Sequence, residues 1–170
     1  MGQYFIAVNQ DRKEWIHPHR FGDGLKFMEF LMSSTGFLAG LALLIRQSNE
    51  GGGGDWYGYA APDEALKENQ VVGSWAGDRI AIVGDYDESG LFTQAMDSWT
   101  DVSEPIIEAL AKDSSAKLAL RNRLDWRQDH CEEGDPERLF FERVLGPNSG
   151  PTFQSNGREG RAMEGKTSDG

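Results

Sequence analysis

Apolar and polar residues alternate between two periods along the chain. Tyr4–Asn9 is aromatic and β-branched and predicts a strand. Asn9, Gln10 and Asp11 form a turn, and Lys13–Ile16 returns as a second short strand, closed by Pro18. From Leu25 the period becomes helical, with Leu25, Met28, Leu31 and Met32, Phe27 beside Met28 and Phe30 beside Leu31 as a broad apolar stripe. Phe37–Ile45 is apolar on all sides and predicts a central buried helix, in which Gly40 permits close packing against Trp15 or a strand. Val71–Trp75 and Arg79–Val83 predict two further strands around a tight link at Ala76-Gly77-Asp78.

The remaining elements are helical. Leu91, Phe92, Ala95, Met96 and Trp99 recur at helical spacing. Asp101 and Glu104 have capping-box spacing ahead of an inward face of Val102, Ile106, Ala109 and Leu110. Ser114 caps a helix to Trp126, with Leu120 and Leu124 inward. Asp135-Pro136 starts a last helix that Gly146-Pro147 stops. The pattern predicts an α+β fold: a small antiparallel sheet of Tyr4–Asn9, Lys13–Ile16, Val71–Trp75 and Arg79–Val83, packed against several helices. Residues 1–147 form one globular domain. Residues 148–170 are glycine-rich, carry cancelling charges and predict a disordered tail.

Composition narrows the class. The chain has 170 residues, enough to bury a core without metals or disulfides. Cys131 is the only cysteine, so an intrachain disulfide is excluded, and Glu132 and Glu133 beside it disfavour a thiolate. No apolar run reaches membrane-spanning length, and no basic-then-apolar leader follows Met1. Ile6 stands where a myristoylation signal needs Ser or Thr. The expectation is a cytoplasmic protein with no membrane partner.

Charge changes the picture most. The net charge is −11, and residues 51–110 carry twelve acidic and two basic groups, net −10. Uniform solubility or salt adaptation would acidify the whole chain. A local field of this sign repels phosphate backbones and attracts basic surfaces, so direct nucleic-acid binding is not expected. Trp56, Tyr57 and Tyr59 lie in the same stretch, after the run Gly51–Gly54, and aromatics of this kind anchor interfaces. The preferred reading is therefore an acidic protein-binding module whose interface includes Asp55, Trp56, Tyr57, Tyr59, Asp85, Asp87 and Glu88. Imitation of nucleic acid would further require Asp55, Asp63, Glu64, Asp85, Asp87 and Glu88 on one continuous face.

Two other readings stand beside it. One is a small metal-dependent hydrolase. His17 and His19, two apart across Pro18, share a side of an extended segment with Asp23 nearby, and Asp85 or Asp87 would complete a divalent-metal shell. Without metal, His17 or His19 would act as general base, oriented by Asp78 or Asp85. Asp85, Asp87 and Ser89 also take positions 1, 3 and 5 of a calcium-type loop with Gly90 at position 6, but position 12 is Met96. The other reading is a structural protein with a solubilising acidic surface. No nucleophile elbow, phosphate loop, dinucleotide fingerprint or basic recognition helix occurs, so no cofactor is predicted. Arg121, Arg123 and Arg127 are interspersed with acidic residues and read as a solvated helix face.

Met1-Gly2-Gln3-Tyr4-Phe5 with Val8-Asn9, the segment His17–Leu25, and the segment Gly73–Ile80 resemble a group of small uncharacterised proteins of bacteria and their phages. The likeness covers the first half of the chain. It implies a prokaryotic or viral source and no activity. A phage origin would suit an inhibitor of a host protein.

Overall fold

The computed structural model describes residues 2–33, 36–47, 71–113, 116–122 and 135–146. The N-terminal hairpin forms as its sequence dictates. Strand β1 (Phe5–Asn9) and strand β2 (Glu14–Ile16) pair antiparallel, with Ala7 opposite Ile16 and Asn9 opposite Glu14. Asn9 builds the turn: its Oδ1 accepts from the N–H groups of Asp11 and Arg12, both at 3.0 Å. Lys13 closes the turn in the left-handed region at φ 58°.

Strand β3 (Ile80–Gly84) lies antiparallel on the other side of β1. A two-residue strand β4 (Thr100–Asp101) lies parallel to β2, giving the order β3-β1-β2-β4. The fold is α+β, with a small mixed sheet packed against several helices. Two expectations about the sheet need correction. Its fourth strand is β4, not Val71–Trp75, and β4 joins β2 in parallel.

The physical reason lies at the end of a helix. Helix α2 (Phe37–Ile45) leaves its last carbonyls without intrahelical donors. The N–H of Gly73 donates to Leu43 O at 2.8 Å, and the N–H of Trp75 donates to Leu44 O at 2.9 Å. Local turn bonds from Ser74 to Val71 and from Ala76 to Gly73 then fold the segment, with Gly73 at φ 74°. Val72 and Trp75 are apolar enough for a strand, but here they are buried in a turn that caps α2.

The sheet separates two apolar layers. On one face Ala7 and Ile16 join Phe21, Phe30, Phe37, Leu44, Trp75, Ile106, Ile107, Leu110, Leu120 and Phe141. These come from α1 (Phe27–Leu31), α2, α4 (Ser103–Leu110), the helical segment 116–122 and α5 (Pro136–Leu145), with the turns between them. On the other face Ile6, Val8, Trp15 and Val83 meet α3 (Leu91–Ser98) through Ala95, Leu91 and Phe92. Alternation along β1 thus serves two cores.

Helix α1 buries one residue of its broad apolar stripe. Phe30 is the buried residue, its ring 4.9 Å from that of Phe37, whereas Met28 is 60% and Met32 78% exposed. Fewer than two turns of helix offer one inward position, and the flat Phe30 ring fills it. Helix α2 is likewise one-sided: Phe37, Gly40, Leu43 and Leu44 are buried while Ala42 and Ile45 are exposed. Gly40 meets Phe21 and Ile106, not Trp15.

Helix α5 starts at Pro136 as expected, whereas the capping box expected of Asp101 and Glu104 does not form: α4 begins at Ser103 after Val102, which makes no side-chain cap bond. Asp101 Oδ1 accepts from Ser103 N at 2.8 Å, and Glu104 is exposed. Asp135 O accepts from Leu139 N, and Gly146 ends α5 at φ 91°. Asp113 Oδ1 accepts from Ala116 N at 2.8 Å, so Asp113 caps the segment 116–122. Ser114, Leu124, Trp126 and the 148–170 tail lie outside the described residues. No described helix is long and apolar enough to cross a membrane.

The start of α2 is capped from a distance. Asp23 is buried, and its Oδ2 accepts from Phe37 N at 2.6 Å. Asp23→Ala is expected to cost about 1–2 kcal/mol, because it leaves a buried N–H without its acceptor. Asp23→Asn keeps an acceptor and should cost less. Equilibrium urea unfolding of the three proteins checks this, and equal midpoints would show that the contact carries no stability.

Candidate functional site

The acidic stretch can be followed from residue 71 onward. Asp55, Trp56, Tyr57, Tyr59, Asp63 and Glu64 lie outside the described residues. From 71 to 110 the chain carries eight carboxylates and a single cation, Arg79. Three of the carboxylates are paired. Asp78 accepts from Arg12 Nε and Asn9 Nδ2, both at 2.9 Å. Asp101 lies 3.6 Å from Arg20 Nε, and Glu108 lies 2.7 Å from Arg143. Arg79 turns to Asp11, whose Oδ1 and Oδ2 take its side chain and its N–H. These hydrogen bonds hold the exposed Asp11 carboxyl below its ordinary pKa and raise that of Arg79.

Asp85, Asp87, Glu88, Asp97 and Glu104 make no ion pair among the described residues. The first three sit in the loop from β3 to α3, which its own hydrogen bonds shape. Asp85 N donates to Tyr4 O at 2.9 Å, and Asp85 Oδ1 accepts from Tyr4 N at 3.1 Å. The loop therefore begins as a continuation of the β1–β3 ladder. Asp87 N donates to Gly84 O at 3.0 Å. The Ser89 hydroxyl donates to Asp87 Oδ2 and accepts from Leu91 N, and Gly90 turns into α3 at φ 77°. At the crest Tyr86 is 60% exposed between Asp85 and Asp87.

The calcium-type residues Asp85, Asp87 and Ser89 thus share one loop, and Asp87 and Ser89 are bonded to each other. Met96, at position 12, is a half-exposed helix residue without an oxygen ligand. No group of three His, Cys, Asp or Glu side chains among the described residues is placed to hold a metal ion.

The histidines belong to a turn. His17 Nδ1 accepts from His19 N at 3.2 Å and so caps the short 3-10 helix Pro18–Phe21. The two rings meet edge to face at 5.5 Å. His17 N donates to Ser103 Oγ at 3.0 Å, tying this turn to the start of α4. Asp23 points away, onto α2.

Asp78 lies at the opposite end of the sheet, beside Asn9 and Arg12. Three residues of strand, about 10 Å, separate His17 from the Glu14 level at which Asn9 pairs. Asp85 is at the histidine end, yet β1 runs between β2 and β3, which sets the backbones about 10 Å apart. The structure brings His17 and His19 together, and brings Asp85, Asp87, Glu88 and Ser89 together, as two separate groups.

Two residues the sequence reading passed over matter here. Tyr86 is the exposed aromatic of the described acidic region, and its position between two aspartates was a usable signal. Glu14 binds the indole N–H of Trp75 at 2.7 Å, a contact across 61 residues with no local signal. No family model, curated protein or solved structure matches this chain.

Proposed function

We propose that this protein acts by binding another protein that presents a basic surface, through the loop Asp85–Ser89 and the start of α3. The observation that carries this reading is the exposed Tyr86 ring, flanked by carboxylates that pair with no cation among the described residues. The carboxylates attract the partner over a distance, which raises the rate of encounter. The tyrosine supplies contact area at small entropic cost once water is expelled. The bonds to Tyr4 and within the loop hold this surface in shape before binding, which lowers the ordering cost. The basic partner suits an inhibitor of a host protein, in keeping with the resemblance to phage proteins.

The test is affinity capture from lysate of the native host, then kinetics with the enriched protein. Asp87→Lys with Glu88→Lys should slow association, and the difference from the parent protein should shrink as salt rises. Tyr86→Ala should act mainly by faster dissociation, weakening binding about 30-fold. If no protein is enriched, or if both folded variants bind as the parent does, this reading is wrong.

A further inference from the structure

Strand β3 ends the sheet: among the described residues it pairs with β1 alone. The ladder shows which of its peptide groups are used. Asp85 N donates to Tyr4 O, and Gln10 N donates to Arg79 O. By alternation Arg79, Ala81, Val83 and Asp85 direct their backbone groups at β1. Ile80, Ile82 and Gly84 direct theirs outward. Open edges are ordinarily protected by a proline, a lysine or a bulge. The stretch Ile80–Gly84 contains neither residue type, and its five-residue register against β1 is unbroken. Ile82, at its centre, is 38% exposed.

We propose that two copies of this chain pair through β3, antiparallel about a two-fold axis at Ile82, joining their sheets into one of eight strands. The edge is complementary to itself. The register that overlaps all five residues sets Ile82 against Ile82 and Ile80 against Gly84, with every outward N–H facing an outward carbonyl. One residue further out, Arg79 falls opposite Asp85 of the second copy, and this pair occurs twice. Arg79 and Asp85 share a sheet face, and in this register they form a non-hydrogen-bonded pair, where cross-strand side chains come closest. Both are exposed. A register shifted by two residues loses a rung at one end and parts Arg79 from Asp85. An unrelated strand could use the edge but would not need this charge order, and that separates a second copy from another partner.

Sedimentation velocity over a concentration series should show a reversible monomer–dimer equilibrium. Ile82→Pro removes one outward N–H and none of the bonds to β1, so it should abolish the dimer while keeping the fold. Ile82→Lys should do the same by placing like charges at the axis. Arg79→Asp alone and Asp85→Arg alone each set like charges opposite one another and should raise the dissociation constant about tenfold. Mixing these two variants restores both opposite-charge pairs, so the mixture should dimerise as a heterodimer. Arg79→Asp also breaks the pair with Asp11, and Asp85→Arg the bond from Tyr4 N, so far-UV circular dichroism identifies any variant that has lost its fold and the folded variants decide. A monomer at every concentration, a dimer unaffected at Ile82, or a mixture no tighter than its components would overturn the proposal. Sedimentation of the protein alone reports the dimer without any partner present, and the Ile82 variants leave the loop Asp85–Ser89 unchanged, so a failure here is distinguishable from a failure of the partner reading above.

Discussion

Trp75→Ala is expected to destabilise the protein by about 3–5 kcal/mol. Trp75 is the largest fully buried side chain among the described residues, packed in the core beneath α2. Its removal leaves a cavity that the close-packed core can fill only in part. It also strips the Glu14 carboxylate of the indole N–H that it accepts at 2.7 Å. A partly buried acceptor without its donor adds to the loss. Trp75→Phe separates the two effects, since it retains most of the apolar volume and none of the N–H; a smaller loss of about 1–3 kcal/mol is expected. Glu14→Gln keeps an acceptor and should lie nearer to the parent. Urea unfolding followed by circular dichroism measures all three. A Trp75→Ala loss below that of Trp75→Phe would contradict this account.

Gly40→Val is expected to destabilise by about 3 kcal/mol, and Gly40→Ala by a smaller amount. On propensity alone alanine would gain about 1 kcal/mol over glycine within a helix. Packing reverses the sign. A Cβ at this position would lie 2.6 Å from Phe21 Cε1 and 2.9 Å from Ile106 Cγ2. Both neighbours are fully buried and belong to two other elements, so neither side chain swings away cheaply. The glycine is what lets α2 approach α4 and the Pro18–Phe21 turn. Ile106→Ala opens space beside residue 40. In the double variant with Gly40→Ala the losses should therefore sum to less than their separate values. A Gly40→Ala protein more stable than the parent would show that the core yields at this point.

The same residues mark how far the sequence alone reaches. It determined the N-terminal hairpin, because Asn9 builds its turn within three residues and Pro18 removes a ladder donor. It determined α2, α3, α4 and α5 as helices, since the apolar periods that mark them repeat within each element. It determined the concentration of charge, which is a count. The two groups of candidate ligands were legible as residues, but whether they meet depends on which strands separate them.

Tertiary structure decided the rest. Val71–Trp75 has strand-like residues, yet the N–H groups of Gly73 and Trp75 answer the carbonyls of Leu43 and Leu44 at the end of α2, 30 and 31 positions earlier in the chain. Phe30 rather than Met28 or Met32 turned inward because the ring of Phe37 was there to receive it. Asp23 became a helix cap across 14 residues, and Glu14 became the acceptor for Trp75 across 61. Two-residue β4 has no period at all and exists because Lys13 and Trp15 offer carbonyls to Thr100 and Val102. Periodicity and capping act over one or two turns of chain. The choice of buried face, the satisfaction of distant backbone groups and the open edge of β3 depend on partners that only the closed fold brings within reach.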